Sequence, residues 1–142
     1  MWYLWFGRSW QYFQPIRKNM NIAITMLQII VALGLLNVWL LRFHQSTPYR
    51  GGQARTMPEE FAAYGLPAWL VYVVGALKIG AAVCLIQGVW FPSLVLPAAV
   101  VVGVLMVGAL TMHIKIEDPW AKSVPAVFML ALCILIVLGM LR

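Results

Sequence analysis

The chain has 142 residues and a formal net charge of +6, and 63% of its residues are hydrophobic while only 10% are charged. Ordinary globular proteins carry about 25% charged residues, and a chain this short cannot hide so much apolar surface from water. The composition excludes a soluble domain and predicts lipid as the solvent. The ten Lys and Arg residues are scattered rather than clustered, which argues against nucleic acid as a partner.

The N-terminal residues 1–19 differ from the rest because they mix aromatic and basic side chains without a long apolar run. Such side chains favour the headgroup layer, so we expect this segment to lie along the membrane surface or to pack on a partner. The predicted anchoring residues are Trp2, Trp5, Trp10, Arg8, Arg17 and Lys18.

Four apolar stretches follow, each close to the roughly 20 helical residues that cross a bilayer. They are residues 20–41, 67–86, 93–114 and 124–141. They predict an all-α integral membrane protein with one four-helix bundle in residues 20–142, and Asp118 or Ser123 can cap the fourth helix. Four crossings place both termini on one side. The three basic residues before the first span favour the cytoplasm for that side.

The longest polar segment, residues 42–66, contains TMPEEFAAYG and predicts a short helix over residues 57–64. Thr56 can cap its start, and Glu59 follows at the capping-box position. Gly65 can then end the helix in the left-handed conformation.

Lys78 stands near the middle of the second apolar stretch, in VYVVGALKIGAAV. A lysine at a helix centre costs about 2.5–3.5 kcal/mol on insertion scales, and its side chain is too short to reach either end of the span. No Asp or Glu lies in any span. Three outcomes are therefore open: hydrogen bonds to Gln28 and backbone carbonyls, a wet cavity towards His113, or a neutral amine.

Two interpretations of Lys78 compete. It forms the floor of a polar pocket for an anionic or quinone-like ligand, or it is a satisfied interhelical group or a docking point for another subunit's carboxylate. The candidate pocket contacts are Lys78, His113, Asn37, Tyr72 and Gln28.

His113 ends the third span and is either a hydrogen-bonding residue at the membrane boundary or a proton carrier or quinone contact. His44 is the other histidine, and the two lack the spacing of a metal site, so no metal is predicted. No catalytic triad, carboxylate pair or phosphate-binding loop is visible. We therefore expect neither enzyme activity nor a cofactor, with a bound quinone or lipid as the open alternative.

Small residues predict close helix packing in the second and third spans. They are Gly75, Ala76, Gly80, Ala99, Gly103 and Gly108. They could serve the bundle itself or an interface with another protein.

The stretch EEFAAYGLPAWLVYVVGALKIGAAVCLIQGVWFP, followed by GALTMHIKIEDPWAKSVPAVFML, resembles the DoxX-like membrane family over roughly residues 57–130. The matching positions are Phe61, Gly65, Leu66, Pro67, Gly75, Lys78, Gly108, Ala109, His113, Asp118 and Pro119. The resemblance implies a four-helix membrane bundle without an attached soluble domain. The family takes its name from a subunit associated with a thiosulfate:quinone oxidoreductase. Its members are diverse, so the fold transfers better than the function.

Three functional hypotheses follow from these features. The first is an accessory, structural or assembly subunit of a larger membrane protein complex in the bacterial inner membrane, bound to other integral membrane subunits or to copies of itself. The second is a quinone- or lipid-binding subunit of a membrane redox system. The third, a small-solute transporter, is the weakest because the chain has neither an internal repeat nor a pair of broken helices.

Overall fold

The computed structural model describes residues 22–142, and the regular elements in this part of the chain are all helical. The elements are α1 (Ile22–Leu41), α2 (Met57–Ala63), α3 (Ala68–Gln87), a 3₁₀ turn (Pro92–Leu94), α4 (Val95–Lys115) and α5 (Trp120–Met140). Within the described range, four segments are long and apolar enough to cross a membrane: α1, α3, α4 with its preceding 3₁₀ turn, and α5. The predicted four-span all-α architecture is confirmed. The surface segment expected over residues 1–19 lies outside the described residues, as do its anchoring Trp, Arg and Lys positions.

Short connections make successive spans antiparallel, so the bundle has two ends. The loop end is the end at which α1 and α4 finish and α3 and α5 begin. It carries α2 and both longer connections, which hold all four acidic residues of the chain.

The last turn of α1 is a π-helix, Asn37–Leu41. A π turn widens the helix by one residue and changes which side chains face inward. Here Trp39 is 5% exposed, whereas its neighbours Val38 and Leu40 are 38% and 58% exposed. The π turn therefore directs one large ring into the bundle.

The short helix α2 forms as its capping residues predict. Thr56 adopts an extended backbone conformation and its hydroxyl accepts a hydrogen bond from the Glu59 N–H at 3.4 Å. The Glu59 carboxylate reaches back to the Arg55 N–H at 2.7 Å, one residue before the position of a standard capping box. Gly65, at φ +76°, ends the helix in the left-handed conformation.

The fourth span begins at Trp120, earlier than the predicted residue 124, and the expected side-chain cap is wrong. Its N-cap residue is Pro119, without a side-chain hydrogen bond. Asp118 cannot cap the helix because its carboxylate binds His113 and Gly52 instead. The Asp-Pro dipeptide turns the chain directly into the helix, since a residue before proline disfavours the helical conformation.

Contacts between helices close the bundle. The Gln28 side-chain amide of α1 donates to the Leu85 carbonyl of α3 at 3.0 Å. A Cβ placed on Gly139 of α5 would lie within 2.9 Å of the Ile24 side chain, so α1 also packs on α5. The largest fully buried side chains of the described residues are Leu85, Ile136, Val31, Val71, Val95, Val102 and Cys133.

The predicted packing residues divide into two groups. Ala99 is fully buried in the core, and a Cβ on Gly103 would lie 3.8 Å from α5 side chains. Ala76, Gly80 and Gly108 are exposed on the outer surface, and a Cβ on either of these glycines would meet nothing within 4 Å. The second group lies outside the helix contacts formed by the described residues.

Gly75 is buried against the Trp39 ring, and a matched pair of substitutions tests this contact. A Cβ on Gly75 would lie 2.9 Å from two carbons of the Trp39 indole, whose ring also meets Phe61 edge-on at 6.2 Å between centroids. Gly75→Ala should therefore destabilise the protein by about 1–3 kcal/mol. Gly80→Ala is the control, because its methyl group enters open space. Thermal unfolding in mild detergent measures both, and equal melting temperatures would contradict this packing.

Candidate functional site

A buried ion pair stands at the loop end of the bundle. Arg50 and Glu60 are 5% and 8% exposed, and the arginine Nη1 lies 3.1 Å from the glutamate Oε2. The guanidinium also donates to the backbone carbonyls of Arg42 and Gln45 and to the Met57 sulfur. These bonds hold the connection after α1 against the short helix α2.

Tyr64 links this ion pair to the end of α4. Its hydroxyl donates to Glu60 Oε1 at 2.7 Å and lies 3.3 Å from His113 Nε2. The other ring nitrogen, Nδ1, lies 2.7 Å from Oδ2 of Asp118. Both nitrogens of this buried imidazole are therefore engaged inside the protein.

Asp118 joins the row to the start of α5. Its Oδ1 accepts the Gly52 N–H at 3.0 Å and lies 3.6 Å from the Lys122 ammonium, which in turn donates to the Gly52 carbonyl at 2.6 Å. We call this connected set the polar chain. Its members are Arg50, Glu60, Tyr64, His113, Asp118 and Lys122.

Two glycines allow the polar chain to close. The Gly51 N–H donates to Glu60 Oε1 at 3.0 Å, and a Cβ at this position would lie 2.6 Å from the Tyr64 ring. Gly52 has φ +57°, a backbone conformation that glycine adopts without strain. The Gly-Gly pair lets the backbone approach both carboxylates of the chain directly.

The surroundings fix the protonation of two members. Burial, followed by the nearby Glu60 charge, raises the pKa of Tyr64 far above its usual value, so its hydroxyl stays a proton donor. Burial alone would raise the pKa of Asp118. The hydrogen bonds from His113 and the Gly52 N–H, together with the Lys122 charge, outweigh burial and hold that pKa below its usual range.

Lys78 lies deeper, on the inward face of α3, and is 9% exposed. Its ammonium lies 5.0 Å from the centroid of the Trp39 ring, a cation–π contact that supplies about 0.5–2 kcal/mol. The Glu60 carboxylate acts on it electrostatically. Among the described residues, Lys78 forms neither a hydrogen bond nor an ion pair.

Among the described residues, none of those predicted to line a pocket with Lys78 forms a hydrogen bond or ion pair with it. Gln28 binds the Leu85 carbonyl nearer the other end of the bundle, so the Gln28–Lys78 bond, one of the three open outcomes, is not formed. Tyr72 is 66% exposed on the outer face of α3. Asn37 opens the π turn of α1, and His113 belongs to the polar chain.

Sequence reasoning missed most of the polar chain. Arg50, Glu60 and Lys122 were not singled out, and Asp118 was expected as a possible helix cap. The available signal was that every acidic residue of the chain falls in the two connections on the side of His113.

The polar chain runs from a cation and an anion, Arg50 and Glu60, through one hydroxyl and one imidazole to a second anion and cation, Asp118 and Lys122. This arrangement suits a structural link between the two connections, because each of these four charges has an internal partner of opposite sign. Over residues 22–142, no three His, Cys, Asp or Glu side chains come together as a metal site.

Comparison with known proteins identifies one match. The model of the DoxX-like family matches residues 26–136, well over half of the chain. No curated protein and no solved structure matches the chain.

Acid titration tests the electrostatics of Asp118. Because its folded pKa is lowered, its stabilising effect is full above the unfolded carboxyl value of about 3.9 and is lost as pH falls through the folded value. The melting temperature should therefore drop below about pH 4, and Asp118→Asn should show a smaller acid drop from a lower starting stability. The exposed neighbour substitution Glu117→Gln is the control. Thermal unfolding between pH 2 and 7 measures the slopes, and equal slopes for Asp118→Asn and the unsubstituted protein would contradict the assignment.

Proposed function

The chain belongs to the DoxX-like family, and from this membership and its closed polar chain we propose that it is an accessory, structural or assembly subunit of a larger membrane protein complex. The observation that carries the proposal is the internal pairing of the polar chain. Each of its charges is used to fasten the loop end, which favours a rigid scaffold over a reaction centre.

The outer surface supports the same proposal. The spans expose many large apolar side chains, among them Leu77 at 47% and Val104 at 65%. Ala76 and Gly80 are also exposed on α3, and these small residues form a face with little side-chain bulk, the low face, that another helix could approach closely. A partner that crosses the same membrane could use this face without removing any polar group from water.

The expected site of action is the bacterial inner membrane, with both termini in the cytoplasm. This orientation rests on the three basic residues ahead of α1, namely Arg8, Arg17 and Lys18. Such a position would leave the polar chain on the opposite, external side of the membrane.

A second candidate function is a quinone- or lipid-binding subunit of a membrane redox system. Lys78 favours it, because a nearly buried ammonium without a hydrogen-bond acceptor among the described residues is the kind of group that binds a ligand oxygen. A quinone that stays bound through purification is the observation this function requires.

Purification in mild detergent tests the subunit proposal. We expect a complex in which this chain and at least one different membrane protein elute together in a fixed ratio, as measured by size exclusion and quantitative mass spectrometry. Gly80→Leu fills the low face of α3 and should reduce the bound partner by about tenfold or more, the factor for roughly 1.4 kcal/mol.

The matched control is Val104→Leu, which enlarges an exposed apolar residue on α4. It should leave the partner bound. Elution of the chain alone, or only with copies of itself, would contradict the subunit proposal.

A further inference from the structure

Lys78 is a buried cation that forms neither a hydrogen bond nor an ion pair with the described residues. The residue lies ten positions into α3, about 15 Å along the helix axis from its start. It shares one inward face of the helix with Val71, Gly75, Ala82 and Leu85, all of them buried. Its ammonium is therefore held inside the bundle.

The neighbouring groups do not satisfy this cation. Trp39 offers only the face of its ring, at 5.0 Å. The Glu60 carboxylate acts on the ammonium electrostatically, but both of its oxygens are engaged by Arg50, the Gly51 N–H and Tyr64. A buried ammonium needs an oxygen acceptor as well as an aromatic face.

The ammonium is nevertheless reachable. Lys78 keeps 9% of its surface exposed, so its side chain is not fully enclosed by the described residues. A small head group can approach it, whereas a carboxylate carried on a neighbouring protein's helix cannot enter the inward face of α3.

From this geometry we propose that Lys78 binds the anionic head of a single-chain lipid, a carboxylate or a phosphate, inside the bundle. The ammonium donates to the head-group oxygen, and the Trp39 ring covers the remaining side of the cation. The proposal is independent of the subunit function, and it narrows the second candidate function from a quinone or lipid to an anionic lipid.

Ligand titration tests this proposal directly. Full-length protein, freed of lipid in detergent, is titrated with oleate and with a single-chain lysophosphatidate, and a neutral monoacylglycerol and a ubiquinone serve as comparison ligands. We expect saturable one-to-one binding of an anionic ligand. Its affinity should fall about tenfold or more in Lys78→Met, as for a lost charge-assisted hydrogen bond. Which of the two anionic ligands binds more tightly identifies the head group.

Arg42→Met is the matched control, because it removes an exposed cation at the end of α1 without touching the bundle interior. It should bind like the unsubstituted protein. A second readout needs no variant: the N-hydroxysuccinimide ester of a fatty acid should acylate Lys78, and free oleate should protect it, as mapped by mass spectrometry.

Three results would overturn the proposal. They are no saturable binding of either anionic lipid, equal binding by Lys78→Met, and tighter binding of the quinone or the neutral lipid than of both anions. The subunit function would survive each of them, because its own test is the co-eluting partner.

Discussion

The constraint on which the loop end depends is that a buried charge or hydrogen-bonding group needs a partner inside the protein. The loop end meets this requirement with the polar chain, which begins at the Arg50–Glu60 pair and ends at Lys122. It joins the connection after α1, the helix α2, the end of α4 and the start of α5. Removing either partner of the buried pair would leave a charge uncompensated. We therefore expect the polar chain to act as one unit.

Much of the fold follows from the sequence because its signals are local. Apolar stretches of spanning length gave the four crossings, and Thr56 with Gly65 gave both ends of α2. The predicted helix cap at Asp118 was wrong, because contacts that include a residue distant in sequence determine the position of this side chain. Asp118 has a capping side chain in a capping position, but its stronger partners are His113 and a glycine N–H 66 residues away in sequence.

The sequence indicated the candidate site only through the unusual position of Lys78. A lysine inside an apolar helix is visible in any reading of the sequence, and its burial follows from helical spacing with Gly75 and Ala82. Its partner was not predictable, because the π turn of α1 sets which ring faces inward. Trp39 therefore occupies the place expected for an amide.

A double-mutant cycle tests most directly whether the polar chain acts as one unit. The free energy of unfolding is measured in mixed micelles for the unsubstituted protein, Glu60→Gln, Asp118→Asn and the double variant. These two side chains share no direct hydrogen bond, and they are connected through Tyr64 and His113 and through the N–H groups of Gly51 and Gly52. A coupling energy of about 0.5 kcal/mol or more is predicted, and additivity within about 0.3 kcal/mol would contradict the account.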